Sequence, residues 1–187
     1  MVIGSLNEKY LMQRIEEATR KEVFIQREKE KELAHLHFTK SENDLYSARI
    51  ERLLLKDSDL RKHPMIKEYV SWDWLIIKSY YSMYHIILSL LAKLGIKTKT
   101  HYITLVAFEF FFVKKDLVDK KYLNLFNQVK ESAKVTEEIL NDVKEVRQKR
   151  FSANYDVEST IIEREANACF EKAEEFIAEM KKIYTKL

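Results

Sequence analysis

The sequence predicts an all-α protein, an antiparallel up-and-down bundle of about five helices with an N-terminal helical extension. Its 187 residues include only two glycines and one proline, so tight turns must be few, whereas a β-sandwich or barrel needs many. Charged residues make up 34% and hydrophobic residues 46% of the chain, a balance typical of amphipathic helices and not of a disordered chain. Apolar residues that recur every three or four positions are the third observation.

The first helix is predicted over residues 5–38. The sequence QREKEKE within it is polar on every side, and a helix of that kind is solvated or bridges to another element. We therefore assign residues 1–37 to the N-terminal extension and residues 38–187 to the main bundle. The extension still carries a thin apolar line at helical spacing, made of Leu11, Ile15, Ala18 and Ile25.

The next two helices have recognisable ends. The sequence SEND, from Ser41 to Asp44, resembles a capping box and predicts a helix start. The turn-rich sequence KDSDLRKHP predicts the end of that helix. Residues 71–94 form the most apolar helix, with apolar side chains on two faces, so it is predicted to be central to the bundle. Gly95 lies where a left-handed C-terminal cap is needed.

The second half of the chain predicts three more helices. Thr100 is the expected N-cap of the first, although the β-branched and aromatic residues of YITLVAFEFFFV also favour a strand. We expect a helix there because a lone strand would have no partner. The last two helices are predicted at about 119–151 and 157–186. Each carries a stripe of apolar residues that must be buried against another helix, which indicates an antiparallel bundle.

Composition and motifs exclude several classes of protein. A single cysteine, Cys169, rules out an intrachain disulfide and a cysteine-based zinc site, and no histidine pair has carboxylates at metal-ligand spacing. The sequence has no signal-peptide pattern and no membrane span, no Gly-rich phosphate loop and no nucleophile elbow. We expect a cytoplasmic protein without metal, cofactor or membrane contact. The net charge of +3 neither requires nor excludes nucleic acid.

Two arginines are the first candidate site residues. The core stripe of the helix at 119–151 continues directly into Arg147 and Arg150. Cations near a helix C-terminus complement its dipole by about 0.3–1 kcal/mol each, which is one interpretation. The other is that a guanidinium on the core stripe needs a carboxylate, a phosphate or a partner chain. Its planar fork suits phosphate.

Five further residues are candidates. His85, among small polar residues on the central helix, is either a hydrogen-bonded core residue or a functional one. His101 lies beside Lys99 near a helix start, where free N–H groups attract anions; a solvated loop is the alternative. The Tyr155 hydroxyl could position a phosphate with Asn154, or the ring could cover the end of the bundle. With a pKa near 10, a tyrosine is a poor general base at neutral pH.

Several of these residues belong to a pattern. The segment SYYSMYHIILSLLAKLGIKTKTH, residues 79–101, resembles the central segment of HEPN domains, and RFSANY resembles the family's end pattern Arg-x-x-Ala-Asp-Tyr, with Asn154 in place of Asp. FTKSENDLYSARIERLLL resembles the family's first helix, so the resemblance covers about residues 38–187. The matching positions are Tyr80, Tyr81, Tyr84, His85, Gly95, Lys99, His101, Arg150, Ala153 and Tyr155.

The resemblance implies a small helical bundle similar to the substrate-binding subunits of nucleotidyltransferases. Many such proteins are paired with a minimal nucleotidyltransferase, often as toxin and antitoxin. Many others are metal-independent ribonucleases that use an Arg-x(4–6)-His motif assembled across a dimer interface. Here the fifth residue after Arg150 is Tyr155 and not histidine, so the imidazole that would transfer the proton is missing.

We therefore expect a binding module and not an enzyme. It would be a homodimeric HEPN-like protein that binds nucleotide or RNA phosphate beside a nucleotidyltransferase partner, in a toxin–antitoxin-like pair. One alternative is a metal-independent ribonuclease with Arg150 and Tyr155 as catalytic candidates and a histidine from elsewhere; another is a bundle that only forms a dimer interface. The expected phosphate-binding residues are Arg147, Arg150, Asn154, Tyr155, Lys99, His101 and His85.

Overall fold

The computed structural model describes residues 7–146 and 155–187, with side chains described over 7–134 and 162–187. Most of these residues are helical, which confirms the all-α class. The α-helices are α1 (Glu8–Arg20), α2 (Leu33–Lys56), α3 (Pro64–Lys67), α4 (Trp72–Lys93), α5 (His101–Phe108), α6 (Lys120–Val146) and α7 (Tyr155–Tyr184). The chain also has two short strands, β1 (Phe24–Gln26) and β2 (Ile96–Thr98), and 3₁₀ turns at Glu28–Glu32 and Leu60–Lys62. A π-helical turn at Glu109–Val113 follows α5.

Helix α4 is the centre of the bundle, as its two apolar faces predicted. It packs against α2, α6 and α7, and Met83, Ile87 and Leu90 are fully buried. Its length and composition would also allow a membrane span, but 83% of its most apolar 18-residue stretch is buried inside the protein. Helix α2 runs antiparallel to both α4 and α7, as its side-chain contacts show. These contacts are Ser41–Ser82, Glu51–Lys78, Glu42–Lys181 and Arg49–Glu174.

The prediction of one helix over residues 5–38 is wrong. Helix α1 ends at Arg20, and Glu22 takes a φ of +55° before β1 begins. Strand β1 pairs antiparallel with β2, with Phe24 opposite Thr98. This pairing turns α1 back onto the bundle, where Leu11 and Ala18 are buried. Strands of three residues are too short to show an alternating pattern, so helical spacing dominated the prediction.

The predicted helix start at Ser41 is also wrong. Helix α2 begins at Leu33, so SEND lies inside it and caps nothing. The Ser41 hydroxyl is buried and donates a hydrogen bond to the Ser82 carbonyl oxygen at 2.7 Å. Tertiary contacts therefore use the polar side chains that the sequence pattern assigned to a cap. Helix α2 runs across the predicted boundary between residues 37 and 38, and that division of the chain stays a prediction.

The turn between α4 and α5 has the conformation that its sequence predicts. Gly95 has a φ of +72°, and a Cβ atom there would lie 2.9 Å from the Arg27 carbonyl oxygen, so glycine is needed for both reasons. The Thr100 hydroxyl caps α5 by accepting a hydrogen bond from the Ile103 N–H at 3.3 Å. Helix, not strand, is confirmed for the segment after Thr100, and β2 precedes it.

Candidate functional site

Five rings meet where α2, α4 and the start of α5 come together. We call this group the His–Tyr cluster: His37, Tyr80, Tyr84, His85 and His101. The His101 ring stacks on Tyr84 with centroids 4.2 Å apart, and Tyr84 lies 5.8 Å from the His85 ring. The His37 ring stacks on His85 with centroids 6.5 Å apart. The rings form a continuous series from the surface at His101 to the helix pair α2 and α4.

His101 is the exposed end of the cluster. It is the first residue of α5, so its backbone lies where helical N–H groups have no partner within the helix. The Tyr80 hydroxyl is hydrogen-bonded to its Nδ1 atom, and Tyr84 supports its ring face. Burial raises the pKa of Tyr84, partly offset by a hydrogen bond to Thr104, so this phenol stays protonated. The two tyrosines therefore fix the orientation of an imidazole that faces solvent.

Threonine hydroxyls brace the turn that carries His101. Thr98 and Thr104 are joined through their hydroxyls at 2.6 Å, and the Thr104 hydroxyl also donates to the Thr100 carbonyl oxygen at 2.9 Å. The Tyr84 hydroxyl lies 3.3 Å from the same Thr104 oxygen. Strand β2, the cap of α5 and the central helix are thus connected by one hydrogen-bonded group.

Two lysines precede His101 in this part of the chain. Lys97 and Lys99 are both exposed, and the backbone N–H of Lys99 donates to the Val23 carbonyl oxygen at 3.0 Å, which extends the strand pairing. Burial lowers the pKa of His37, and the neighbouring His85, Lys40 and Lys97 lower it further. His37 is therefore neutral at pH 7, whereas the two lysines add positive charge to this face.

His85 is the buried member of the cluster. Only 7% of its surface is exposed, and its Nδ1 atom lies 2.6 Å from the Asp44 carboxylate. These surroundings agree with the interpretation of His85 as a hydrogen-bonded core residue. A carboxylate on Nδ1 orients the ring and fixes its tautomer, with Nε2 as the remaining nitrogen. Asp44 could not be recognised as the partner of His85 from the sequence, because it lies on a different helix, α2.

A model of one protein family matches this chain. It is described as HEPN domain, and it covers residues 65–183, well over half of the sequence. The chain belongs to the HEPN family. Searches of curated proteins and of solved structures found no match. The matched residues include α4, β2 and α5, and with them Tyr80, Tyr84, His85 and His101.

The HEPN match leaves two members of the site outside it. His37 and Asp44 come from α2, which precedes residue 65. The N-terminal helix α1 and strand β1 also lie outside the match. The part of the chain before the matched region therefore supplies the carboxylate that holds His85 and the strand that braces β2.

The remaining predicted site residues are Arg147, Arg150, Asn154 and Tyr155. Arg147, Arg150 and Asn154 are outside the described residues. Tyr155 is the first residue of α7, and its side chain is outside the described part of the chain. Phe176, on the same helix, packs against Phe126, which in turn packs against Tyr80. From Tyr155 to Phe176 the helix rises about 31 Å. The structure therefore brings His85, Lys99 and His101 together, at a distance from Tyr155.

Metal ligation has little support in the described residues. Among them, no group of three or more His, Cys, Asp or Glu side chains is placed to hold a metal ion. Cys169 is buried on α7, and burial raises the pKa of its thiol, which makes it a poor nucleophile and ligand. The chemistry available at the His–Tyr cluster is that of imidazole, ammonium and hydroxyl groups.

Proposed function

We propose that this HEPN protein binds the phosphate of a nucleotide or of RNA. The observation that carries this proposal is the exposed His101, held by Tyr80 and Tyr84 and preceded by Lys99. Arg147, Arg150, Asn154 and Tyr155 remain in the proposal as further phosphate-binding residues, as the sequence predicts.

The chemistry of the His101 turn suits an anion. A lysine ammonium is a mobile point charge for a phosphate oxygen, and an imidazole nitrogen can donate a hydrogen bond. The N-terminus of α5 adds backbone N–H groups and the positive end of the helix dipole. Because tyrosines and threonines already fix the turn, little ordering is needed when a ligand binds, which favours affinity.

This binding proposal is tested by replacing His101 with alanine. We expect the affinity for adenosine monophosphate, measured by isothermal titration calorimetry, to fall about 10- to 150-fold, because hydrogen bonds to charged groups contribute roughly 1.5–3 kcal/mol. The matched control is His35→Ala, which removes an exposed histidine from outside the cluster and should leave the affinity unchanged. Equal affinities for wild type, His101→Ala and Lys99→Ala would contradict phosphate binding at this turn.

We further propose the setting in which the protein acts. It would be a cytoplasmic homodimer that works with a minimal nucleotidyltransferase, in a toxin–antitoxin-like pair. The support for this is membership of the HEPN family together with the end sequence RFSANY, in which Tyr155 stands where ribonuclease members have histidine. Light scattering of the purified protein, alone and mixed with such a transferase, tests both the dimer and the pair.

A second candidate function is metal-independent cleavage of RNA. The observation that favours it is the 2.6 Å contact between His85 Nδ1 and the Asp44 carboxylate, since a carboxylate-oriented imidazole is a common general base. In that case Arg150 would stabilise the charged phosphorane and His85 or His101 would transfer the proton. Cleavage that persists in EDTA and disappears in His85→Ala would support this candidate over binding alone.

A further inference from the structure

A groove between α1 and α5 lies next to the His101 turn. It encloses a cavity of about 210 Å³. Its floor is apolar and its rim is polar or aromatic, and the lining residues are Ala18, Val23 and Ile103 on the floor and Arg14, Glu17, Lys21 and Tyr102 on the rim. Helix α1 lies outside the residues that match the HEPN model. The groove is therefore formed only because this chain has a segment before the matched region.

The aromatic wall of the groove is continuous with the candidate site. Tyr102 follows His101 in the chain, and 45% of its surface is exposed. Its hydroxyl lies 3.5 Å from the Tyr10 hydroxyl. The Arg14 guanidinium lies over the Tyr10 ring at 4.9 Å. Exposed rings interleaved with cations are the usual platform for single-stranded nucleic acid, because each base can stack and each phosphate is neutralised.

The rim adds hydrogen-bonding groups that a base edge could use. Arg14 is held by Glu17 through one terminal nitrogen, at 2.9 Å. Its Nε atom is buried, and it has no hydrogen-bond partner in the described part of the chain. A bound acceptor that drew the guanidinium toward it would satisfy this donor. Lys21 is exposed and lines the same groove, where it could neutralise a second phosphate of the same strand.

We propose that this groove holds one nucleobase of single-stranded RNA whose backbone phosphate lies at Lys99 and His101. The proposal rests on the proposed function, and it names RNA, not a free nucleotide, as the ligand. A cavity of about 210 Å³ is smaller than the roughly 300–1,000 Å³ of drug-sized sites, so it has room for one ring system. Since Tyr102 is adjacent to His101, the base of one nucleotide can lie in the groove while its phosphate contacts His101 and Lys99.

The test is fluorescence anisotropy with a labelled, short single-stranded RNA. Tyr102→Ala should weaken RNA binding about 5- to 150-fold, the loss expected when one base–aromatic stack is removed. Tyr102→Phe keeps the ring and loses only the hydroxyl, so its affinity should stay within about twofold of wild type. The matched control is Tyr46→Ala on α2, where a tyrosine of 65% exposure lies outside the groove; it should bind RNA as wild type does.

Ribose 5-phosphate, which carries the phosphate but no base, separates this proposal from the one on which it rests. Its affinity should be unchanged in Tyr102→Ala and lowered in His101→Ala. If RNA affinity is the same in Tyr102→Ala as in wild type, the groove proposal is overturned while phosphate binding at His101 stands. If free nucleotide is not bound at all but RNA binding depends on the Tyr102 ring, the groove proposal stands and the free-nucleotide site fails. A wild type that binds no RNA overturns the groove proposal.

Discussion

Replacing Phe176 by alanine is expected to lower the free energy of unfolding by about 3–5 kcal/mol. The ring is fully buried, and it is the point at which α5, α6 and α7 meet. Its loss would remove buried apolar surface and leave a cavity that the surrounding rings cannot fill without moving. The rings around it are Phe108, Tyr122 and Phe126, each with its centroid about 6.1–6.2 Å away.

Urea unfolding followed by circular dichroism measures this effect. The matched control is Phe110→Ala, which removes the same side chain from a half-buried position at the edge of Phe111 and should cost clearly less. Equal losses in the two variants would mean that the core is not organised around Phe176. Because Phe126 connects Phe176 to Tyr80, we also expect the Phe176 variant to loosen the His–Tyr cluster.

Replacing Glu51 by alanine is expected to cost about 2–4 kcal/mol of stability. The Glu51 carboxylate is buried on α2 and accepts hydrogen bonds from Tyr69, Ser71 and Lys78, the last at 2.8 Å. It thereby fastens the segment between α2 and α4 to the bundle. Removing it leaves the buried Ser71 hydroxyl without an acceptor and Lys78 without its counter-charge, and both losses are destabilising. We expect a smaller loss of stability than for a fully buried ion pair, because the Lys78 side chain is 31% exposed.

The pH dependence of this effect has a definite sign. Burial raises the pKa of Glu51, but the hydrogen bonds from Lys78, Ser71 and Tyr69 outweigh it and hold the pKa below its ordinary value. The stabilisation is therefore complete above the unfolded pKa of roughly 4.3 and is lost as the pH falls through the lower folded pKa. The stability difference between wild type and Glu51→Gln should be constant above roughly pH 5 and shrink in acid. A difference that grows as the pH falls would contradict the assignment.

The long helices could be predicted because their apolar residues repeat along the sequence. Helix α4 was recognisable from apolar residues on two faces, and Thr100 and Gly95 marked the turn that follows it. These features depend on neighbours along the chain, which the sequence displays directly. The resemblance to HEPN domains rested on the same segment, and the family match confirms it.

What the sequence did not reveal depends on pairing between distant segments. Strand β1 exists because β2 lies beside it, and three residues carry no period of their own. Ser41 and Asp44 suited a helix cap by type, but the fold gives them Ser82 and His85 as partners. Tyr80 and Tyr84 carried the resemblance without a stated role. Only the fold shows that they hold His101.

We propose that this HEPN protein binds phosphate without cutting RNA. The most direct test incubates labelled single-stranded RNA with purified wild type and with Arg150→Ala, both in EDTA, and separates the products on a gel. We predict full-length RNA in both lanes, since the fifth residue after Arg150 is Tyr155 and not a histidine. RNA that is cleaved by wild type and left intact by Arg150→Ala would contradict the claim and make Arg150 catalytic.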